Sequence, residues 1–571
     1  MNACDPSHPC NTHQVFNQPE AFENLNLFAC DAALREGVQR EGAAHAMVQL
    51  DTLGQLLGRA DTMALARQAN TNRPQLQQFD RAGRRIDEVA FHPAWHSLMA
   101  ILIQAGAHAA PWVAPGFGAQ VARAASYLLF GQVENGAQCP VTMTYASVPA
   151  LRQAGLPMLE KYWLPKILSP HYDPRSLPIE HKQGALIGMG MTEKQGGSDV
   201  RSNTTQAVVV PQQEAQALFG EQGEALWRIT GHKWFFSAPQ SDAHLILAQT
   251  HEGASSGQSC FFLPRYLPDG RRNAILVQRL KDKLGNWSNA SSEVEFAGAY
   301  GWLIGAQGRG MPTILEMAGH TRLDCVLGST GIMRAALAQA LYHARQRSVF
   351  GKLLAEQPLM MQVLADLAIE SEAATAFALR LARCFDAPQD AGEQALARLL
   401  TPAGKYWICK RGPLVVAEAM EVLGGSGYVE ESPLARLYRE APVNSIWEGS
   451  GNIMCLDVLR ALARSPSARD ALAAELALAG DNEPVFARYR AALLLELAAG
   501  QVAEAGARSL AARIVLAVQA GLLLRHAPPF VSHAFVQSRL AHPPGAAFGC
   551  LPAGVDAAAI LARALQTGRP A

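Results

Sequence analysis

A mostly helical protein with one small β-domain between two helical regions is the fold class this sequence predicts, on three observations. Apolar residues recur at helical spacing over 44–57, 95–107 and 119–130, and again over 311–347, 360–385, 391–422 and 453–463. Between 185 and 263 the texture changes to short β-prone runs parted by Gly and Pro clusters. Apolar residues make up 49% of the 571 and charged residues only 17%. That is enough to fill a large core and still leave apolar faces for further copies of the chain.

Residues 1–40 are polar and aromatic, with Asn17-Gln18-Pro19 and Phe28, and read as an irregular arm. Residues 41–183 read as a helical domain whose breaks are marked by Pro111, Pro115, Pro140 and Pro157. The β-domain, 184–305, contains the runs 185–191, 204–210, 227–236, 244–249 and 259–263. The four long helical stretches within 306–464 predict a bundle. Residues 465–571 are Ala-rich and predict a helical extension packed on that bundle.

Lys plus Arg equal Asp plus Glu at 49 each, so no overall field draws the chain to nucleic acid or to a membrane surface. The extension has no Lys, and nine Arg against seven acidic residues, a feeble excess for a phosphate-binding face. The ten Cys form no C-x-x-C pair and no zinc spacing, which predicts reduced thiols and no metal site. The start, Met1-Asn2-Ala3-Cys4-Asp5, lacks a basic and then apolar leader, and no uninterrupted apolar run reaches about 18 residues. A cytoplasmic protein with no membrane partner is expected.

Several stretches carry chemistry. Met191-Thr192-Glu193-Lys194-Gln195-Gly196-Gly197-Ser198-Asp199 ends an apolar run, and its N–H groups and hydroxyls suit the polar edge of a ligand. Arg345-Gln346-Arg347-Ser348-Val349-Phe350-Gly351 ends a long helix, with Gln357 soon after. Leu423-Gly424-Gly425-Ser426-Gly427-Tyr428 is either a helix C-cap or a loop whose backbone admits a pyrophosphate. Ile446-Trp447-Glu448-Gly449-Ser450-Gly451-Asn452-Ile453 sets one carboxylate between an aromatic ring and small residues; Glu448 either opens a helix or serves as a general base. A G-x-G-x-x-G fingerprint and a Walker lysine are both missing, so neither a Rossmann nor a P-loop nucleotide site is predicted. Gly253-Ala254-Ser255-Ser256-Gly257 has nucleophile-elbow spacing but lies in a Ser/Gly loop without the strand and helix that motif needs.

In this order, with Lys233-Trp234-Phe235-Phe236-Ser237 between the first two, these stretches resemble the acyl-CoA dehydrogenase family of flavoproteins. The strings 188–199 and 444–453, and Asn17-Gln18-Pro19, resemble its bacterial alkylation-response branch. The resemblance runs from about residue 14 to 463. It implies a helical domain, a small β-domain and a helical bundle, assembled as a homotetramer with FAD between β-domain and bundle.

It further implies roles by position. Met191, Thr192 and Ser198 lie along the flavin and its phosphates, and Phe235 and Ser237 lie beside the isoalloxazine ring. Arg347, Phe350, Gln357, Gly424 and Gly425 hold the cofactor of a neighbouring subunit; Gln357 stands one place early. Trp447, Gly449, Ser450 and Asn452 complete the cofactor set around Glu448, the base that takes the α-proton of an acyl thioester. The rival position for that base, before Arg322, is occupied by Thr321, which cannot serve. Trp287 stands where Arg is usual and Ala238 where Asn is frequent, both near the substrate mouth. Three functions follow as expectations: an alkylation-response flavoprotein with dehydrogenase machinery and double-stranded DNA as a further partner; a short- or branched-chain (isovaleryl-CoA-like) acyl-CoA dehydrogenase passing electrons to an electron-transfer flavoprotein; or a DNA-associated protective protein whose flavin site no longer turns over.

Overall fold

The computed structural model describes residues 13–219, 224–250, 257–500, 503–541 and 547–567. The first twelve residues of the arm, and residues 253–256 of the elbow-like loop, lie outside the described residues. The protein is mostly helical with one β-domain, as the apolar periodicity predicts.

The arm is not irregular throughout. Its last residues form a helix, Ala32–Arg40, capped by the Asp31 carboxylate, which accepts from the Leu34 N–H at 3.0 Å. Helices Met47–Leu57, Ala60–Thr71, Pro93–Gln104, Ala119–Gly131 and Gln138–Gln153 follow. Pro140, expected as a break, sits instead in the first turn of Gln138–Gln153, where its missing N–H has no intrahelical partner to lose. Between these helices a hairpin, β1 (Gln75–Phe79) with β2 (Arg85–Ala90), has no clear β signal in the sequence because three of the five residues of β1 are Gln. It reaches the β-domain through the Gln78 amide and the Arg85 guanidinium, both donating to the Val277 carbonyl at 2.9 Å.

The β-domain is built from β3 (Ile187–Gly190), β4 (Gln206–Val209), β5 (Leu226–Ser237), β6 (Ala243–Thr250), β7 (Gly257–Pro264), β8 (Ile275–Leu280) and β9 (Ser291–Ile304). β6 pairs with β4 and β7, and β9 pairs with β5 and β7, so the sheet closes into a small ring. Closure removes the exposed edges an open sheet would present. Its interior is filled by Trp227, Ile229, Phe236, Ile246, Phe261 and Phe296.

Helices Gly310–Ala344, Pro358–Cys384, Ala391–Val422 and Gly451–Arg464 make the bundle. The extension folds onto it as Pro466–Ala477, Pro484–Ala499, Ala507–His526 and Pro529–Val536, continuous with one core that also takes in the N-terminal helices. Glu504–His526 is apolar and long enough to cross a membrane, yet 72% of its apolar window is buried in the fold, so packing accounts for its composition. Ion pairs, most of them buried, fasten the extension. Arg539 reaches Asp366 at 2.5 Å and Glu370 at 3.1 Å, Arg380 reaches Glu475 at 2.8 Å, and Arg563 reaches Glu36 and Glu372 at 2.6 and 3.0 Å.

Candidate active site

Glu448 lies in the loop between the short helix Ala441–Ser445 and helix Gly451–Arg464. Its φ of +57° is left-handed, uncommon for a residue with a Cβ, and Gly449 follows at +102°. A Cβ on Gly449 would fall 2.5 Å from the Met454 Cε, a flexible end that can move aside, so it is the left-handed conformation that calls for glycine there. The half-buried carboxylate accepts from the Thr321 hydroxyl, Oγ1 to Oε2, at 2.7 Å. Arg322 donates from Nε to the Glu448 carbonyl at 3.1 Å and is itself held by Asp457 at 2.9 Å. Trp447 is half-buried, and its indole N–H donates to Asn444 Oδ1 at 3.0 Å. Ile446, although apolar, turns outward and is 64% exposed.

The turn after β3 is rigid from below. Glu193 is buried and accepts from Lys233 Nζ at 2.8 Å, from the Thr204 N–H at 2.6 Å and from the Thr205 N–H at 3.2 Å. Burial by itself would raise the Glu193 carboxyl, but Lys233 and the neighbouring donors outweigh it and bring it down to about 2. The Thr192 carbonyl accepts from the Trp234 N–H at 2.8 Å, and the Met191 carbonyl accepts from Asn203 at 2.8 Å. These bonds turn the carbonyls inward. Among the described residues the N–H groups of Gly197 and Ser198 find no acceptor, and Ser198 is exposed. Successive residues of β5 face opposite sides, so Phe236 is buried while Phe235 is 52% exposed and Ser237 half-buried.

Two of the expected residues come together. Met191 and Trp447 pack on one apolar cluster that includes Cys139, Met143 and Met317. The Cys139 thiol is pushed up to about 11 by burial, against the lowering effect of Lys283, with the charge of Glu448 adding to the rise. Ser450 is the N-cap of Gly451–Arg464 but makes no capping bond, and Asn452 in the first turn is exposed.

The second group lies apart on the surface. Phe350 is 99% exposed at φ +50°, at the tip of the small hairpin Ser348–Leu353. Gln357 donates to the Val349 carbonyl at 2.9 Å and so braces that hairpin. The Arg347 guanidinium donates to the Asn17 carbonyl, and Asn17 exchanges two further bonds of 2.8 Å with Ser348. Gly424 and Gly425 follow helix Ala391–Val422, are exposed, and face open space. Phe350, the one large apolar side chain among them, does not pack on the cluster that takes Met191 and Trp447. Trp287 is clasped between Arg73 and Arg439, whose guanidinium carbons lie 3.7 and 4.2 Å from its ring. Buried Ala238 is left-handed at φ +51°.

Three functional residues lack a local signal. Thr321, set aside because a hydroxyl cannot be the base, is the partner of the base candidate across 127 residues of sequence. Lys233 and Lys405 read as ordinary members of a strand and a helix, yet both ammonium groups are buried. For each, the one clue in the sequence is a Lys within an apolar run.

Three family profiles match in succession: the adaptive response protein AidB N-terminal domain over residues 17–174, the acyl-CoA dehydrogenase middle domain over 188–299 and the acyl-CoA dehydrogenase C-terminal domain over 308–463. The putative acyl-CoA dehydrogenase AidB of Escherichia coli is 51% identical over 530 residues, covering 93% of this chain and 94% of that one. Acyl-CoA dehydrogenase family member 11 of Caenorhabditis elegans is 32% identical over 69% of this chain and 63% of that one. The solved structure of Caenorhabditis elegans ACDH-11 in complex with C11-CoA superposes with a TM-score of 0.82 at 25% identity, covering 95% of each chain. The structure titled Bd2924 apo-form gives 0.79 at 29% identity, covering 89% of this chain and 99% of that one. With matches spanning all three domains and a relative half identical over nearly its whole length, the chain belongs to the acyl-CoA dehydrogenase family, in its AidB branch.

Proposed function

We propose that the protein is an FAD-dependent oxidoreductase of the acyl-CoA dehydrogenase type, with Glu448 as the base that removes the α-proton of an acyl-CoA thioester. The observation that carries this reading is the Glu448 carboxylate, held by Thr321 at 2.7 Å on a left-handed loop beside the cluster that also receives Met191. The residues fit the cofactor. Free N–H groups at Gly197 and Ser198 and the Thr192 hydroxyl suit the polar edge and phosphates of FAD, and the exposed face of Phe235 suits its flat ring. Bound FAD supplies the two-electron acceptor for the hydrogen leaving the β-carbon. The chain's own residues do the rest. Glu448 takes the α-proton, its N–H polarises the thioester carbonyl, and Thr321 orients the carboxylate until substrate arrives.

Replacing Thr321 by Val removes one hydrogen bond to a charged group, worth about 1.5–3 kcal/mol, and so lowers dehydrogenation by roughly ten- to a hundredfold. Thr321→Ser restores most of the loss. Equal rates in Thr321→Val and wild type would deny the hydroxyl this role.

We read the protein as a homotetramer in the cytoplasm. The exposed Phe350, and Gly424 and Gly425 facing open space, suit a neighbouring subunit's cofactor. The purified protein should be yellow, release FAD on denaturation and sediment as a tetramer. A colourless protein that takes up no added FAD would sink the assignment, and a monomer that keeps FAD would sink the tetramer. Two electron acceptors of different class suit this chemistry, an electron-transfer flavoprotein and oxygen; the first is the one we propose. An acyl chain longer than the short or branched class is favoured by the likeness to ACDH-11, whose structure is titled with C11-CoA.

A role in DNA alkylation response, with double-stranded DNA as partner, rests on the likeness to AidB. The extension offers it little. Arg490 pairs with Asp481 and Arg513 with Glu496, which leaves Arg488 and Arg508 exposed without an ion pair among the described residues. If DNA binds there, neutralising both arginines should flatten the dependence of log affinity on log salt by about 2. An unchanged slope places the DNA surface elsewhere.

A further inference from the structure

We propose that Lys405 is the positioning residue of the Glu448 loop, holding both ends of that loop by their carbonyls. Lys405 lies on bundle helix Ala391–Val422, and only 1% of it is exposed. Its Nζ donates to the Asn444 carbonyl at 3.0 Å and to the Gly449 carbonyl at 2.7 Å. Among the described residues it has no carboxylate within ion-pair distance. A buried ammonium without a counter-charge is costly, and an apolar side chain would pack at that helix position without the cost. The charge therefore has a use that packing does not explain.

The use follows from which carbonyls it collects. Asn444 and Gly449 bracket Trp447, which packs on the apolar cluster that takes Met191, and Glu448, the proposed base. Glu448 at φ +57° and Gly449 at +102° are consecutive left-handed residues, a conformation that a glutamate leaves readily when nothing holds it. Capture of the flanking carbonyls opposes that relaxation, because a peptide flip would point an N–H at the ammonium. Arg322 takes the intervening Glu448 carbonyl at 3.1 Å, so three carbonyls of one loop face cations of the bundle. The Glu448 N–H, in the peptide just before the carbonyl that Arg322 holds, has no acceptor among the described residues. Lys405 thus fixes the two ends of the loop from which Glu448 presents its carboxylate. This rests on the reading of Glu448 as the base, but the loop geometry does not.

Hydrogen–deuterium exchange on the full chain tests it, in the apo and the FAD-loaded protein. The readout is the amides of Ile446, Trp447 and Met454, which hydrogen-bond at the two ends of the loop. Lys405→Met keeps length and removes every donor; Lys405→Arg keeps donors and charge. In Lys405→Met, exchange across 444–455 should rise about tenfold or more, as expected for losing two charge-assisted bonds, while 358–384 stays as in wild type. Lys405→Arg should restore most of the protection. Should the Met variant fail to fold, Lys405→Gln, with one donating amide, gives an intermediate rise. With any acyl-CoA that wild type oxidises, Lys405→Met should lose kcat while KM stays within about twofold, the pattern of a misaimed base. Loop exchange equal to wild type, or a rise spread evenly through the bundle and not restored by Arg, overturns the proposal. Failure to take up FAD would sink the proposed function instead, and would leave the apo exchange result standing.

Discussion

Cutting the chain before Ser465 should unfold the bundle rather than trim it. The family profiles end at residue 463, which would suggest a dispensable tail. The packing says otherwise. Leu472, Leu476, Phe486, Leu510, Ile514, Val515 and Val518 of the extension are fully buried in the core shared with the bundle. Removing the extension would also strand carboxylates in the bundle. Asp366 would lose Arg539, and Glu372 would lose Arg563. A buried charge left without its partner costs about 3–5 kcal/mol, and a whole domain is stable by only about 5–15 kcal/mol. The single change Arg539→Met should therefore lower Tm on the order of 10 °C. A soluble 1–464 fragment with the helical circular dichroism of the intact bundle would contradict this account.

Glu448→Gln should lower any acyl-CoA dehydrogenation by roughly two to four powers of ten, the span for losing a general base. Gln keeps nearly the same shape and can still accept from the Thr321 hydroxyl through its amide oxygen, so the loop and the bound FAD should stay. The conformation at 448 is left-handed in either case and is fixed by contacts to the main chain, at the Glu448 and Gly449 carbonyls, which the substitution does not touch. An effect on kcat without loss of flavin is thus expected. A rate within about threefold of wild type in Glu448→Gln would place the base elsewhere.

How much of this was legible in the sequence follows from how local each signal is. The bundle helices were legible because their apolar spacing runs for dozens of residues, from Gly310–Ala344 to Ala391–Val422. Pro402 and Pro413 inside the latter did not break it, since core packing outweighs their cost. β8 and β9 were harder to see. β9 opens on two Ser and carries Glu293 and Glu295 facing Arg279, Lys281 and solvent, so its apolar alternation starts late. The loop around Glu448 was legible as a small-residue run with one carboxylate. What the residues around it do was not. Thr321, Arg322 and Lys405 reach it from 127, 126 and 44 positions away along the chain, and no local pattern encodes such a meeting. Ile446 shows the converse: it is apolar, yet it stands 64% exposed two residues before the left-handed Glu448.

The measurement closest to the central claim is an anaerobic titration of the FAD-loaded protein with acyl-CoA thioesters of increasing chain length, followed by flavin absorbance. Wild type should bleach with at least one thioester, while Glu448→Gln, carrying the same FAD, should not bleach on that timescale. Wild-type protein with FAD bound whose spectrum is unchanged by every thioester, or Glu448→Gln bleaching as fast as wild type, would contradict the account.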